Sequence, residues 1–360
     1  MDKELFLEML EFDSTSGKEA EFADFLAERL KTSSCLVERF EVGDGTVNLL
    51  FSWGRPEIVF CSHLDTVPPY IAPAVDGGIV SGRGSCDAKG QIFAMYEACR
   101  VLEAKGYEGF GLLLLAGEET GSFGAKAFRE QHPGAEWVIV GEPTDNCMAS
   151  ASKGTKAFEV TFEGKAFHSG YPQYGSSAIE MFNDFMNALR SIGFPSDDVL
   201  GDTTWNIGKL VSDNPQNILS DRLSCRVYFR TTFESDDMVS NVMKNMAGPE
   251  ARLRFGRRTV QDGSDIVGKE VAPWQKAMSV KALGGDSPTM YETLDGFETK
   301  PVAFGSDAPQ LTNFRKKILC GPGSILVAHR PEEHIALSDL ETAVENYVRM
   351  YEHLMNDKIN

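Results

Sequence analysis

The sequence predicts an α/β protein built on a mostly parallel sheet flanked by helices, with a ferredoxin-like α+β domain inserted into it. Three observations carry this reading. Short apolar runs such as "IVFCSH" and "LLLLAG" alternate with helical spacings through the first part of the chain. A β-α-β-β-α-β order with period-two strands occupies about residues 154 to 262. The α/β texture then returns and closes with a long helical segment.

The elements follow in order. The stretch to about residue 34 has helical spacing, and "TVNLLFSWG" and "EIVFCSHLD" read as strands. In "KGQIFAMYEACRVLEAKG" the spacing of Ile92, Tyr96, Cys99 and Leu102 predicts a helix that Gly106 closes. The strand "FGLLLLAG", a helix around Ala125 to Gln131 and the strand "AEWVIVGE" come next. Within the insertion, "KAFEVTFEG", "TTWNIGKLVS", "DRLSCRVYFRTT" and "ARLRFGRR" read as strands. "SSAIEMFNDFMNALRSIG" and about Asp236 to Met246 read as its helices. "TKPVAFGSD", "KKILCGPG" and the helix "ALSDLETAVENYVRMYEHLMND" complete the outer domain. The domains are therefore 1–153 with 263–360, and 154–262.

Composition narrows the function. The chain has 360 residues, enough for about two ordinary domains. Its net charge of −18 argues against a partner bound by neutralising phosphates, so no nucleic acid is expected. No apolar run approaches the about 20 residues a membrane helix needs. The N-terminus lacks the basic flank and apolar core of a signal peptide, so a cytoplasmic location and no membrane partner are expected. The seven cysteines show no CxxC spacing, which points to neither a disulfide framework nor a thiolate zinc site.

Ligands bind at the carboxyl ends of parallel strands in open α/β sheets. His63 and Asp65 end one apolar strand, Glu118 and Glu119 another, and Glu142 a third. Asp87 lies in the glycine-rich turn "GRGSCDAKG" before a helix, and "GPGSILVAHRPEE" supplies His329. His, Asp and Glu without thiolate suit zinc, cobalt or manganese. One ion takes three or four such groups; the set also suffices for two ions sharing a carboxylate, which sit about 3.5–4 Å apart in hydrolytic sites. Each residue also has a structural reading: the glutamates capping the next helix, Asp87 as an N-cap, Glu142 as a loop residue. Five such segments at one sheet edge favour the metal site.

In order and wording, these segments resemble the co-catalytic zinc family of acetylornithine deacetylase, succinyl-diaminopimelate desuccinylase, aminoacylase and carboxypeptidase G. The matching stretches are "SHLDTVP", "GRGSCDAKG", "LLLAGEETGSFGA", "VGEPT", "KGTKAFEVTFEGKAFHSGYP", "FGSDA" and "GPGSILVAHRPEEHI". The resemblance implies two zinc ions, with cobalt or manganese as substitutes. His63, Asp87 and Glu142 would hold one; Asp87, Glu119 and His329 the other. It implies that Asp65 orients the His63 imidazole, that Glu118 is the general acid/base and that the Asp87–Ala88 peptide is cis. In the insertion it implies an oxyanion role for His168 and a grip on a substrate carboxylate by Arg230. Asn217, Gly305 and Ser306 match further substrate-side positions. Two departures fall in the insertion: Leu219 stands where the family commonly has proline, and Tyr228 where it commonly has an acid.

The function the resemblance implies first is an amidohydrolase that removes the acyl group from an N-acyl amino acid. It would be acetylornithine deacetylase- or succinyl-diaminopimelate desuccinylase-like, placed in amino-acid biosynthesis and specifically arginine biosynthesis, with Glu118 taking the proton of a metal-bridged water. A metallo-carboxypeptidase or dipeptidase is the alternative, and a metal-binding protein without turnover the third. The partner is a small N-acyl amino acid or short peptide. A homodimer through the inserted domain, which would also act as a lid, is expected.

Overall fold

The computed structural model describes residues 1–43, 45–253, 255 and 270–356. The chain divides into two compact units. One contains Met1–Ser150, Met290–Val302 and Ser306–Asn360; the other contains Ala151–Thr289 and Ala303–Gly305.

In the larger unit, a six-stranded sheet runs in the order Leu36–Gly43, Thr46–Trp53, Phe110–Leu115, Ile58–His63, Trp137–Val140, Lys316–Leu319. The first two strands join antiparallel, and the last four are mutually parallel. Every residue of Ile58–His63 and Phe110–Leu115 is buried, because helices cover both faces of a parallel sheet. The apolar side chains divide by period two. Phe60, Leu112 and Leu114 join the core formed with helices Lys3–Leu10, Ala20–Arg29, Lys89–Ala104 and Leu337–Asn356. Fully burying each such leucine or phenylalanine is worth roughly 1.5–3 kcal/mol. A small antiparallel sheet of Ala74–Asp76, Ile79–Ser81 and His334–Ala336 brings residue 334 opposite residue 81.

The N-terminal stretch, read as helical to about residue 34, is interrupted. It forms two helices, Lys3–Leu10 and Ala20–Arg29. Between them the Asp13 carboxylate accepts the Thr15 N–H at 3.1 Å and its hydroxyl at 2.8 Å. Such local bonds compete with helix, and Gly17 turns the chain at a φ of 91°. The edge strand Leu36–Gly43 has no counterpart in the sequence reading.

The smaller unit is an antiparallel four-stranded sheet in the order Thr204–Val211, Arg222–Thr231, Gly154–Glu163, Met278–Gly284. Helices Ala178–Arg190 and Asp236–Met246 bury one face of it. Leu223, Cys225, Val227 and Phe229 point into that core, while Arg226 and Tyr228 are exposed.

The fourth strand is a correction. The sequence reading placed it at "ARLRFGRR", but Met278–Gly284 pairs with Gly154–Glu163 and sends Met278 into the core. Of the predicted segment, Ala251–Leu253 and Phe255 form no strand. The N–H groups of Arg252 and Leu253 instead donate to the Asn245 carbonyl at 2.8 and 3.2 Å. The rest of that segment, and the predicted boundary at 262/263, lie outside the described residues. Among the described residues, no helix is long and apolar enough to cross a membrane.

Candidate active site

The parallel strands of the larger unit deliver the predicted polar residues to one sheet edge. His63 is the last residue of its strand and pairs in register with Leu115. The chain after Leu115 turns through Gly117, at a φ of 67°, into Glu118 and Glu119. The next helix begins only at Phe123, so the two glutamates lie outside its first turn. Glu142 follows the strand Trp137–Val140 and is buried, and the Gly141 N–H donates to the Cys61 carbonyl at 2.8 Å. The helix after Asp87 has Ala88 as its N-cap, with no side-chain cap. The Asp87 carboxylate is thus available for the site. The Asp87–Ala88 peptide is cis.

Asp87 is the hub. Its Oδ1 lies 3.0 Å from His63 Nε2, and its Oδ2 lies 3.3 Å from His329 Nε2. His329 Nε2 is also 2.9 Å from Glu119 Oε1. One donor atom from each of His63, Asp87 and Glu119 falls within 4.8 Å of the other two, a spacing that could hold a metal ion. His63 Nδ1 donates to the Asp65 carbonyl at 2.8 Å, so its Nε2 can present a lone pair to a cation. His329 has a left-handed φ of 62°, unusual for a residue with a side chain, and costing about 1–3 kcal/mol.

The Asp65 carboxylate reaches further than the resemblance implies. It lies 3.5 Å from His63 Nδ1. It also accepts the Glu118 N–H at 2.9 Å, the Glu119 N–H at 3.2 Å and the Ser16 hydroxyl at 2.8 Å. It orders the glutamate turn as well as facing the imidazole. The contribution of Ser16 had no sequence signal beyond a polar turn.

The charges in this cluster explain its titration. Burial opposes ionisation of Asp87, but hydrogen bonds from His329 and His63 hold it below the usual carboxylate range. Hydrogen bonding to Asp87 and Glu119 pushes His329 up to about 10. Burial disfavours charge on His63, yet Asp65 and Asp87 raise it well above its ordinary value. Burial pushes Glu118 and Glu142 well above the carboxylate range. Asp307 was not singled out in "FGSDA", although it is a carboxylate in a small-residue turn like Asp87. It is buried, its Oδ1 has no hydrogen-bond partner among the described residues, and burial pushes it up to about 7. Ser306, beside it, accepts the Ala308 N–H at 3.3 Å.

The remaining predicted residues belong to the smaller unit. His168 is exposed and bridges to Ile218, and the Ser169 N–H donates to the Asn217 carbonyl at 2.9 Å, so His168 and Asn217 are neighbours. His168 Nδ1 accepts the Gly170 N–H at 3.1 Å, which makes Nε2 the donor nitrogen of the ring. Arg230 lies 5.0 Å above the Tyr228 ring. A Cβ at Gly305 would sit 3.7 Å from Arg230 Nη1. The aromatic at 228 thus supports the guanidinium at the position where an acid would neutralise it.

A mixed, largely parallel α/β sheet whose strand ends gather buried carboxylates around two imidazoles defines a metallohydrolase. The chain matches Peptidase family M20/M25/M40 over residues 59–353, and it belongs to that family. It is 33% identical over 358 residues to a Peptidase M20 domain-containing protein of Schizosaccharomyces pombe, covering 95% of this chain and 82% of that one. It is 31% identical over 381 residues to a probable carboxypeptidase of Aspergillus clavatus, covering 94% of this chain and 85% of that one. Its fold is similar to that of the aminopeptidase PepT from Bacillus cereus, with a TM-score of 0.76, 22% identity and 98% of both chains covered. These relatives do not carry the more specific resemblance to acetylornithine deacetylase or a place in arginine biosynthesis.

Proposed function

We propose that the protein is a metal-dependent carboxypeptidase or dipeptidase acting on short peptides with a free carboxylate. The carrying observation is the placement of Asp87 between two imidazoles, with Glu119 on His329 and the Glu118 carboxyl in the same cluster. The names of the fungal relatives support a peptide substrate over the N-acyl amino acid that the sequence reading placed first.

The donor set fits divalent metal. Asp65, Asp87, Glu118, Glu119, Glu142 and Asp307 crowd six carboxyl groups around His63 and His329, with Lys126 acting on Asp307. Buried carboxylates in such numbers are costly unless cations join them. His63, Asp87 and Glu142 would hold one zinc ion, and Asp87, Glu119 and His329 the other, with cobalt or manganese as substitutes. When bound, the ions supply Lewis-acid polarisation of the scissile carbonyl and acidify the attacking water.

The chain's own groups do the rest. Glu118, its carboxyl desolvated, takes the proton of the attacking water and passes it to the leaving amine. Asp65 holds the Glu118 and Glu119 backbone and the His63 ring in register. The Nε2–H of His168 suits the developing oxyanion. The Arg230 fork suits a substrate carboxylate, and the preference for a free C-terminus rests on it. We include in the proposal a homodimer through the inserted unit.

The test is amine release by the zinc-loaded protein from a panel of dipeptides, N-blocked dipeptides, C-amidated dipeptides and N-acetyl or N-succinyl amino acids. Cleavage of free and N-blocked dipeptides, with the C-amidated ones spared, is expected. A preference for N-acetyl or N-succinyl amino acids restores the deacylase reading.

A further inference from the structure

One buried carboxylate near the site, Glu333, has no part in the mechanism above. Glu333 is only 1% exposed and faces Arg83, which is 2% exposed. Glu333 Oε1 accepts three backbone N–H groups at once: Gly84 at 2.9 Å, Cys86 at 3.1 Å and Asp87 at 3.0 Å. Its Oε2 pairs with the Arg83 guanidinium. Arg83 in turn donates to the Pro69 carbonyl at 3.2 Å and the Arg330 carbonyl at 3.4 Å. The Gly82 N–H closes the loop by donating to the Glu333 carbonyl at 3.1 Å.

We propose that Glu333, locked by Arg83, is a positioning residue that sets the spacing of Asp87 and His329 and so the affinity of the site for its cations. The proposal rests on the metallohydrolase reading of that site. Two features make the contact more than a structural ion pair. One of the three N–H groups on Glu333 belongs to Asp87, the residue whose carboxylate faces both imidazoles. Glu333 also lies one short turn beyond His329, and its own N–H donates to the Arg330 carbonyl at 3.3 Å. A single side chain therefore ties the backbone of one donor to the turn that presents the other. His329 sits in a left-handed conformation that needs such support. Converging N–H groups make a concave site for negative charge, and here an internal carboxylate fills it.

The experiment is zinc titration calorimetry of the chelated 360-residue chain, with its melting temperature and peptide kinetics at saturating zinc. The variants are Glu333→Gln, Glu333→Ala, the double variant Arg83→Met/Glu333→Gln, and Glu332→Gln as an exposed neighbour. Zinc affinity is expected to fall about 10–100-fold in Glu333→Ala, as when a residue that orients a ligand is lost. The double variant keeps an oxygen for the three N–H groups without stranding a buried charge, and recovers much of that affinity. Glu332→Gln matches the wild type. At saturating zinc, the peptide KM stays within about twofold while kcat falls, since the damage lies at the donors and not at substrate contacts. Should Glu333→Ala fail to fold, Glu333→Gln and the double variant carry the comparison. Lower melting temperatures with wild-type zinc affinity in every variant would reduce Glu333 to a structural residue and overturn the proposal. A wild-type protein that takes up no zinc overturns the metallohydrolase reading and this proposal together; wild-type uptake with unaffected variants overturns this proposal alone.

Discussion

Asp65 accepts the backbone N–H of Glu118 at 2.9 Å across 53 residues of sequence. With its other oxygen on Glu119 N–H at 3.2 Å and on the Ser16 hydroxyl at 2.8 Å, it anchors the turn that carries Glu118 and Glu119. Asp65→Asn keeps the volume but turns one acceptor into a donor facing these groups. Its kcat/KM and zinc affinity should fall about 10–100-fold. Ser16→Ala removes a single hydrogen bond to a carboxylate and should cost about 1.5–3 kcal/mol of stability with a smaller kinetic effect. Steady-state kinetics and chemical denaturation separate the two. Wild-type kinetics in Asp65→Asn would remove Asp65 from the site.

Glu118→Gln should keep its bound metal and lose about 10²–10⁴-fold in kcat, the usual contribution of a positioned acid/base. Metal analysis beside single-turnover rates is the measurement. Loss of metal in this variant would instead make Glu118 a ligand.

Chelation should destabilise the larger unit. The buried carboxyl groups around Asp87 would then lose their cations and keep the two imidazoles beside them. Ions at 1,000 times their dissociation constant stabilise by about 4 kcal/mol per independent site. Melting curves with chelator, and again after zinc is restored, should show a reversible drop; coincident curves would contradict the site.

Lys89 is buried beneath the Asp87 turn, and its Nζ donates to the Phe12 carbonyl at 2.6 Å. Burial pushes its ammonium down to about 7. Between about 7 and the ordinary lysine value near 10.4 the unfolded chain binds more protons than the folded one. This group's contribution is therefore full above the unfolded value and is lost as pH falls toward about 7. The stability of the wild type relative to Lys89→Met should rise with pH across that window, by at most about 1.4 kcal/mol per unit. Urea unfolding in chelator near the two ends of the window tests this; a constant difference would refute it.

How much of this was legible beforehand follows from the range of each interaction. Strands buried on both faces must be apolar throughout, so "IVFCSH" and "LLLLAG" announced themselves, and the polar residues that ended them stood out. His63, Glu118, Glu119 and Glu142 were singled out as candidates in that way, and the inserted unit by its period-two strands. By itself, then, the sequence determined the architecture, the family and the chemical type of the site. The pairing of Met278–Gly284 with Gly154–Glu163 is set by contacts more than a hundred residues apart, and its short pattern differs little from that of "ARLRFGRR". Glu333 reads like its exposed neighbour Glu332 until the fold closes three amides and a guanidinium around it. Asp65 likewise gained its hold on Glu118 and Glu119 only from the parallel pairing of their strands. Hydrogen bonds depend on distance and direction in space, and these are decided by the tertiary structure because residues remote in sequence meet only there.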